Sequence, residues 1–123
     1  MEDTLKNNVL NICRIMEELK ASDVVALNMD NVCSWTSVMI IGTVTSHVHM
    51  HGIREAIVKD LKDSGLEVLS GSRKSEDNTW IMIDAGSIVV SLMDREARDF
   101  YALEERWFEA EAILPENYSS SSS

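Results

Sequence analysis

The stretch TWIMIDAGSIVVSLM, residues 79–93, carries two apolar runs on either side of the turn DAGS at residues 84–87. A glycine-containing turn between runs rich in β-branched residues is typical of a β-hairpin. Side chains alternate between the two faces of a strand, so Ile81 and Ile83 are predicted to share one face. The stretch therefore predicts an antiparallel strand pair with that face on a hydrophobic core.

The opposite face of the hairpin carries a different set of side chains. It holds Trp80, Met82 and Asp84 from the first strand and Val89 and Met93 from the second. If the isoleucine face packs on helices, this face is an exposed aromatic-and-methionine patch, which is typical of a protein-binding surface. The alternative is an interior hairpin covered on both faces, although the Asp84 carboxylate indicates solvent at one end.

Apolar spacing predicts three helices and further strands around the hairpin, in the order α-β-β-α-β-β-β-α. The predicted elements are a helix over 5–19, strands at 23–29 and 38–44, a helix from Ser46 to Gly65, a strand at 66–69, the hairpin, and a helix from Asp94. The strand-helix-strand unit over 38–69 should pair in parallel through a right-handed crossover. The sequence thus predicts a mixed α+β fold, with a mixed five-stranded sheet and flanking helices.

The last predicted helix carries a stripe of large apolar side chains, Phe100, Leu103 and Trp107. We expect this stripe to anchor the helix to the sheet. We find no internal repeat or domain boundary, so residues 1–114 are predicted to form a single domain. Residues 115–123 are predicted to be a disordered serine-rich tail.

Charge and composition narrow the class of partner. Eleven basic and twenty-one acidic side chains give a formal net charge of −10, the wrong balance for neutralising phosphates. Little direct nucleic-acid contact is therefore expected, and a basic protein is the favoured partner. No apolar run is long enough to span a membrane, and two cysteines without a C-x-x-C motif indicate a reduced, cytoplasmic protein.

Every histidine of the chain lies in HVHMHG, residues 47–52. On a helix His47 and His51 lie about 40° apart, and His49 points off the opposite flank of the apolar stripe. The three rings therefore cannot converge on one ion, and no glutamate follows the first histidine as in zinc proteases. Surface and helix-capping histidines are favoured over a metal site, and no cofactor is predicted.

Four segments of the chain resemble the Iojap-like ribosomal silencing factor family, in order and at family-like spacing, over roughly residues 16–108. The segments are ELKASDVVALNM (18–29), VMIIGTVTSHVHMHGI (38–53), TWIMIDAGSIVVSLM (79–93) and REARDFYALEERW (95–107). The resemblance implies a fold related to nucleotidyltransferases but without their metal-binding carboxylates. It also implies a non-enzymatic protein that binds the large ribosomal subunit through its ribosomal protein number fourteen. Such binding obstructs joining of the small subunit and lowers translation when nutrients are scarce.

The resemblance also implies which side chains touch the partner, and that the protein is a homodimer, as family members often are. Trp80 and Asp84 match the family's contact tryptophan and the aspartate of its turn. Ala85 stands where many members carry a larger apolar or aromatic residue, Ser87 where aspartate is usual, and Ser91 where histidine is usual. The predicted partner-binding residues are Trp80, Met82, Asp84, Ala85 and Ser91.

The sequence leaves two other classes of function open. One is a nucleotidyltransferase-related, metal-dependent enzyme that uses Asp84 and a histidine. The other is a redox or metal sensor, which requires Cys13 and Cys33 to come within disulfide reach.

Overall fold

A computed structural model describes residues 3–34, 36–69, 72–74, 80–102 and 111–114. In chain order its elements are α1 (Asp3–Glu18), β1 (Ser22–Asn28), β2 (Val38–Thr43), α2 (His47–Asp63), β3 (Ser72–Lys74), β4 (Trp80–Asp84), β5 (Ile88–Met93), α3 (Arg95–Tyr101) and β6 (Glu111–Leu114). The predicted helices and strands are confirmed up to the start of α3, except that the third strand lies at Ser72–Lys74 and not at residues 66–69. Leu103, Trp107 and the predicted tail at 115–123 lie outside the described residues.

The strands form one sheet in the order β3-β4-β5-β2-β1-β6. Four strands of five to seven residues, β4, β5, β2 and β1, make its body, and the short β3 and β6 lie at its edges. The predicted mixed sheet is confirmed, since β2 and β5 are parallel and the other pairs are antiparallel. The predicted number of five strands is wrong.

The predicted strand at residues 66–69 does not exist. This segment is tied at one end to α2, where the Leu66 amide donates to the Leu61 carbonyl over 2.8 Å. At the other end the Leu69 amide donates to the Asp84 carbonyl over 2.8 Å. The segment therefore connects α2 to the hairpin, and short strands elsewhere occupy the edges of the sheet.

The parallel partner of β2 is β5, with Val38 opposite Ile88 and Thr43 opposite Met93. The prediction that β2 pairs with residues 66–69 is therefore wrong. Both β2 and β5 are buried at all six positions, the pattern of central strands covered on both faces. Their side chains are apolar on both faces, so pairing them at the centre of the sheet lets both faces be covered.

Two apolar clusters cover the two faces of the sheet. On the first face α1 and α2 pack against alternate residues of the central strands, including Ile40, Ile81 and Val90. On the second face Met39, Ile41 and Met93 form a smaller cluster with Ala97 of α3. The described elements therefore form three layers at the centre of the fold, with α1 and α2 on one face of the sheet and α3 on the other.

Side-chain caps fix where two of the helices begin. Ser46 accepts a hydrogen bond from the His49 amide over 3.1 Å, and Asp94 accepts one from the Ala97 amide over 2.8 Å. Both predicted starts are confirmed. The α3 helix ends at Tyr101 with Ala102 as its C-cap, whose φ of 48° is left-handed; the predicted continuation to Trp107 lies outside the described residues.

Candidate partner-binding surface

The second face of β4 is the part of the hairpin that reaches solvent. Ile81 and Ile83 are at most 1% exposed on the first face, whereas the alternate residues Trp80, Met82 and Asp84 are half-buried. The predicted alternation is thus confirmed for this strand. The ring of Trp80, the thioether of Met82 and the carboxylate of Asp84 therefore lie in a row on the second face.

The turn that ends β4 holds Asp84 in place. Its Oδ1 accepts a hydrogen bond from the Gly86 amide over 2.8 Å, and Gly86 has a φ of 81° that favours glycine. The Ala85 amide donates to the Ile88 carbonyl over 2.9 Å and closes the hairpin. Asp84 therefore shapes the turn and also brings a negative charge to the end of the surface.

The predicted exposed patch is wrong for β5. Val89 and Met93 are 1% and 0% exposed, because β5 lies between β4 and β2 and its second face packs in the cluster with α3. The interior alternative therefore holds for this strand. Of the predicted patch, Trp80, Met82 and Asp84 are the residues that a partner can reach.

Two of the predicted contact residues are also buried. Ala85 is 7% exposed and Ser91 is 0% exposed. Ser91 sits opposite Ile41 on one side and Met82 on the other, and its hydroxyl has no hydrogen-bond partner within the described part of the chain. Neither side chain can serve as a direct contact in this conformation.

The buried side chain of Arg98 fixes α3 on the sheet. Only the family resemblance had drawn attention to this segment. Arg98 is 5% exposed and donates to the Asp23 carbonyl over 2.6 Å and to Thr43 Oγ1 over 2.9 Å. Asp23 has a φ of 50°, at an irregularity in β1, and its carboxylate pairs with Arg95. The hydrogen bond from Arg95, and then the charges of Arg95 and Arg98, lower the pKa of Asp23.

The prediction that Phe100 anchors α3 is wrong. Its side chain is 81% exposed. The helix buries Ala97 and Arg98 instead, because these two residues face the sheet and its β1–β2 corner. The apolar spacing of Phe100 with later residues indicated a shared face but not the direction in which that face points.

The histidines do not form a metal-binding group. His47 and His51 are exposed, while His49 accepts at Nδ1 from the Thr45 amide over 3.0 Å and contacts the Leu19 carbonyl through Nε2 over 2.6 Å. The predicted capping role is confirmed for His49, which links α2 to the end of α1. Among the described residues no three histidine, cysteine or acidic side chains lie close enough to hold a metal ion.

The two alternative functions lack their required geometry. Asp84 pairs with Val89 near the start of β5, whereas His47 and its neighbours follow the opposite, carboxyl end of β2. Asp84 and a histidine therefore cannot act together. Cys13 packs in the cluster on the first face and Cys33 against the cluster on the second, so the sheet keeps the two thiols apart.

Burial also makes Cys13 chemically inert. It raises the pKa of this thiol to about 12, with a further contribution from the nearby charge of Glu17. Cys33 donates from Sγ to the Thr36 carbonyl over 3.5 Å.

None of the described helices is long and apolar enough to cross a membrane.

The family model described as "Ribosomal silencing factor during starvation" matches residues 2–123 of the sequence. This chain belongs to the RsfS family. The match spans the hairpin, the turn and α3, so the resemblance found in four segments extends over nearly the whole chain.

Relatives of this chain are similar to it in sequence, and a solved structure is similar to it in fold. A ribosomal silencing factor from Haemophilus influenzae is 32% identical over 92 residues, which are 75% of this chain and 89% of that protein. A mouse protein named mitochondrial assembly of ribosomal large subunit protein 1 is 29% identical over 96 residues, 76% of this chain and 42% of its own length. The crystal structure of a Chromobacterium violaceum protein has a TM-score of 0.77 at 27% identity and covers 87% of both chains.

Proposed function

We propose that this RsfS-family chain binds the large ribosomal subunit through ribosomal protein fourteen and thereby obstructs joining of the small subunit. Translation falls as a consequence when nutrients are scarce. The protein acts by occupying a surface and performs no catalysis. We infer that it works in the cytoplasm; self-association into a homodimer stays a prediction.

The observation that carries the proposal is the half-buried second face of β4, with Trp80, Met82 and Asp84 in a row. An aromatic ring partly desolvated in its own fold can be fully desolvated by a partner with little loss of side-chain freedom, which is typical of binding hot spots. Methionine adds an adaptable apolar contact beside the ring.

Charge supports a basic ribosomal protein as the direct partner. The chain carries a formal net charge of −10, which repels the phosphates of ribosomal RNA and attracts Lys- and Arg-rich protein surfaces. Asp84 places one of these charges at the turn beside the apolar contacts. The name of the mouse relative, which refers to the large ribosomal subunit, supports the choice of subunit.

Co-sedimentation with purified large and small ribosomal subunits tests the proposal. The parental chain should pellet with large subunits only. Trp80→Ala should weaken binding about thirtyfold, the loss expected when a central anchor worth ~2 kcal/mol is truncated, and Met82→Ala should weaken it less. Leu10→Ala, on the outer side of α1 and 37% exposed, is the control and should bind as the parent does.

Circular dichroism and a thermal melt must accompany each variant, because Trp80 packs against the second cluster. A folded Trp80→Ala chain that keeps parental affinity would remove the second face of β4 from the site. A parental chain that fails to pellet with large subunits would refute the proposed function itself.

A further inference from the structure

An exposed leucine lies against the turn that ends β4. Leu69, in the connection between α2 and β3, is 56% exposed. Its amide donates to the Asp84 carbonyl over 2.8 Å, and its Cδ1 lies 3.7 Å from the position that a Cβ atom on Gly86 would take. A lone exposed leucine is ordinary on a protein surface, but these two contacts place this one at the Asp84 end of the candidate surface.

The turn itself carries no large apolar side chain. Ala85 has a single methyl group and is only 7% exposed, Gly86 has no side chain, and Ser87 is polar. Leu69 therefore supplies an exposed apolar group at the end of β4 where the turn supplies none.

The carboxylate of Asp84 adjoins the same glycine. Asp84 is half-buried, and its Oδ1 accepts from the Gly86 amide over 2.8 Å. In the described part of the chain no lysine or arginine pairs with this carboxylate. Gly86 thus has a negative charge at its amide and the leucine side chain beside its α-carbon.

We propose that Leu69 and Asp84 together receive one Lys or Arg side chain of the partner protein. Its charged head pairs with the Asp84 carboxylate, and its aliphatic stem packs along Leu69. Lys and Arg suit such a site because their stems cover apolar surface while their heads remain with a counter-charge. This inference rests on the proposed function and adds a residue outside the hairpin to its contact surface.

Electrostatics favours a basic protein as the occupant over a second copy of the chain or an RNA. In a two-fold dimer the same patch meets itself, so two Asp84 carboxylates would approach each other, and like charges oppose association. The net charge of −10 repels the phosphates of RNA. A basic protein brings a cation to Asp84 and methylene groups to Leu69 in one side chain.

The experiment measures affinity for purified large ribosomal subunits by sedimentation titration at low and high salt. Leu69→Ala should weaken binding about threefold to tenfold at both salt concentrations with an unchanged melting temperature, because it truncates an exposed apolar contact. Asp84→Asn keeps an oxygen that can accept from Gly86 and removes only the charge, so it should weaken binding chiefly at low salt. Leu10→Ala, which truncates another exposed leucine on α1, is the matched control and should bind as the parent does.

Two further variants test whether Leu69 and Asp84 hold the same side chain. A side chain released at one end is no longer positioned for its other contact, so Leu69→Ala combined with Asp84→Asn should lose less affinity than the product of the two single losses. Leu10→Ala combined with Asp84→Asn should lose only what Asp84→Asn loses alone. Leu69→Lys should weaken binding more than Leu69→Ala at low salt, because its ammonium group competes with the partner's cation for Asp84.

The outcomes separate the two proposals. If the parent binds and folded Leu69→Ala binds equally well, the shared site is refuted while the proposed function stands. Single losses that simply multiply in the double variant would also refute it, and a parent that does not bind large subunits would refute both. If light scattering shows a dimeric parent that Leu69→Ala converts to monomer without loss of ribosome affinity, the surface belongs to a dimer interface and this inference is wrong.

Discussion

Single side chains on β4 and β5 decide how much of the predicted site a partner can reach. Trp80 and Ser91 both lie on the second face of the sheet, yet Trp80 is half-buried and Ser91 is 0% exposed. The difference arises because β5 lies in the centre of the sheet, whereas β4 lies next to the short edge strand β3. A residue's face follows from alternation along the strand, but its exposure depends on the strand's position in the sheet.

Ser91→Ala should raise the free energy of unfolding by about 1 kcal/mol, because it removes a buried hydroxyl without a hydrogen-bond partner among the described residues. Thr43→Val is the matched control. Thr43 is also buried, but its Oγ1 accepts from Arg98, so its loss should lower stability by about 1.5–3 kcal/mol. Denaturant unfolding measures both, and destabilisation of similar size in the two variants would contradict the assignment.

At the scale of elements, the docking of α3 onto the β1–β2 corner depends on charge. Arg98 reaches the Asp23 carbonyl and Thr43 from inside, and Arg95 pairs with the Asp23 carboxylate from outside. Asp23 adopts a left-handed backbone conformation, which brings its carbonyl and carboxylate toward α3. These contacts position the helix that carries Phe100.

The stability of this docking should depend on pH in the acid range. The hydrogen bond from Arg95 holds the pKa of Asp23 below its ordinary value of 3.8. Its contribution to stability is therefore complete above pH 3.8 and is lost as the pH falls through the lower value in the folded state. The effect should be modest, because the side chains of Arg95 and Asp23 are 55% and 59% exposed.

Asp23→Asn tests this contribution, because asparagine tolerates the left-handed conformation and removes only the charge. The difference in unfolding free energy between parent and variant should be constant near neutral pH and shrink below pH 3.8. A difference that stays constant down to the acid unfolding limit would show that the carboxylate charge contributes nothing to docking.

The hairpin, the first two helices and both cap residues were predictable because they depend on local patterns. Alternation fixes the buried side of β4, and Ser46 and Asp94 cap helices through residues three positions away. The partner of β2 was not predictable in the same way, because β5 lies some fifty residues away along the chain. Phe100 was misplaced for a related reason: helical spacing groups residues on a face without saying what that face contacts.

For the whole molecule, charge and the arrangement of the two faces agree with one mode of action. Two long helices cover the first face of the sheet, and on the second face Trp80, Met82 and Asp84 of β4 are only half-buried. Trp80 and Met82 place apolar groups on that strand, and Asp84 places a negative charge at its end. Alternation predicted the face of Trp80, Met82 and Asp84, but the burial of Val89 and Met93 on the same face depended on the fold.

The most direct test of the proposed mode of action is the joining of purified ribosomal subunits, followed by light scattering. Large subunits saturated with the parental chain, as judged by co-sedimentation, should fail to join small subunits, and the inhibition should rise with occupancy. Folded Trp80→Ala at the same concentration should leave joining nearly intact. Normal joining by large subunits that are saturated with the parental chain would contradict the proposal that this protein silences the ribosome by obstruction.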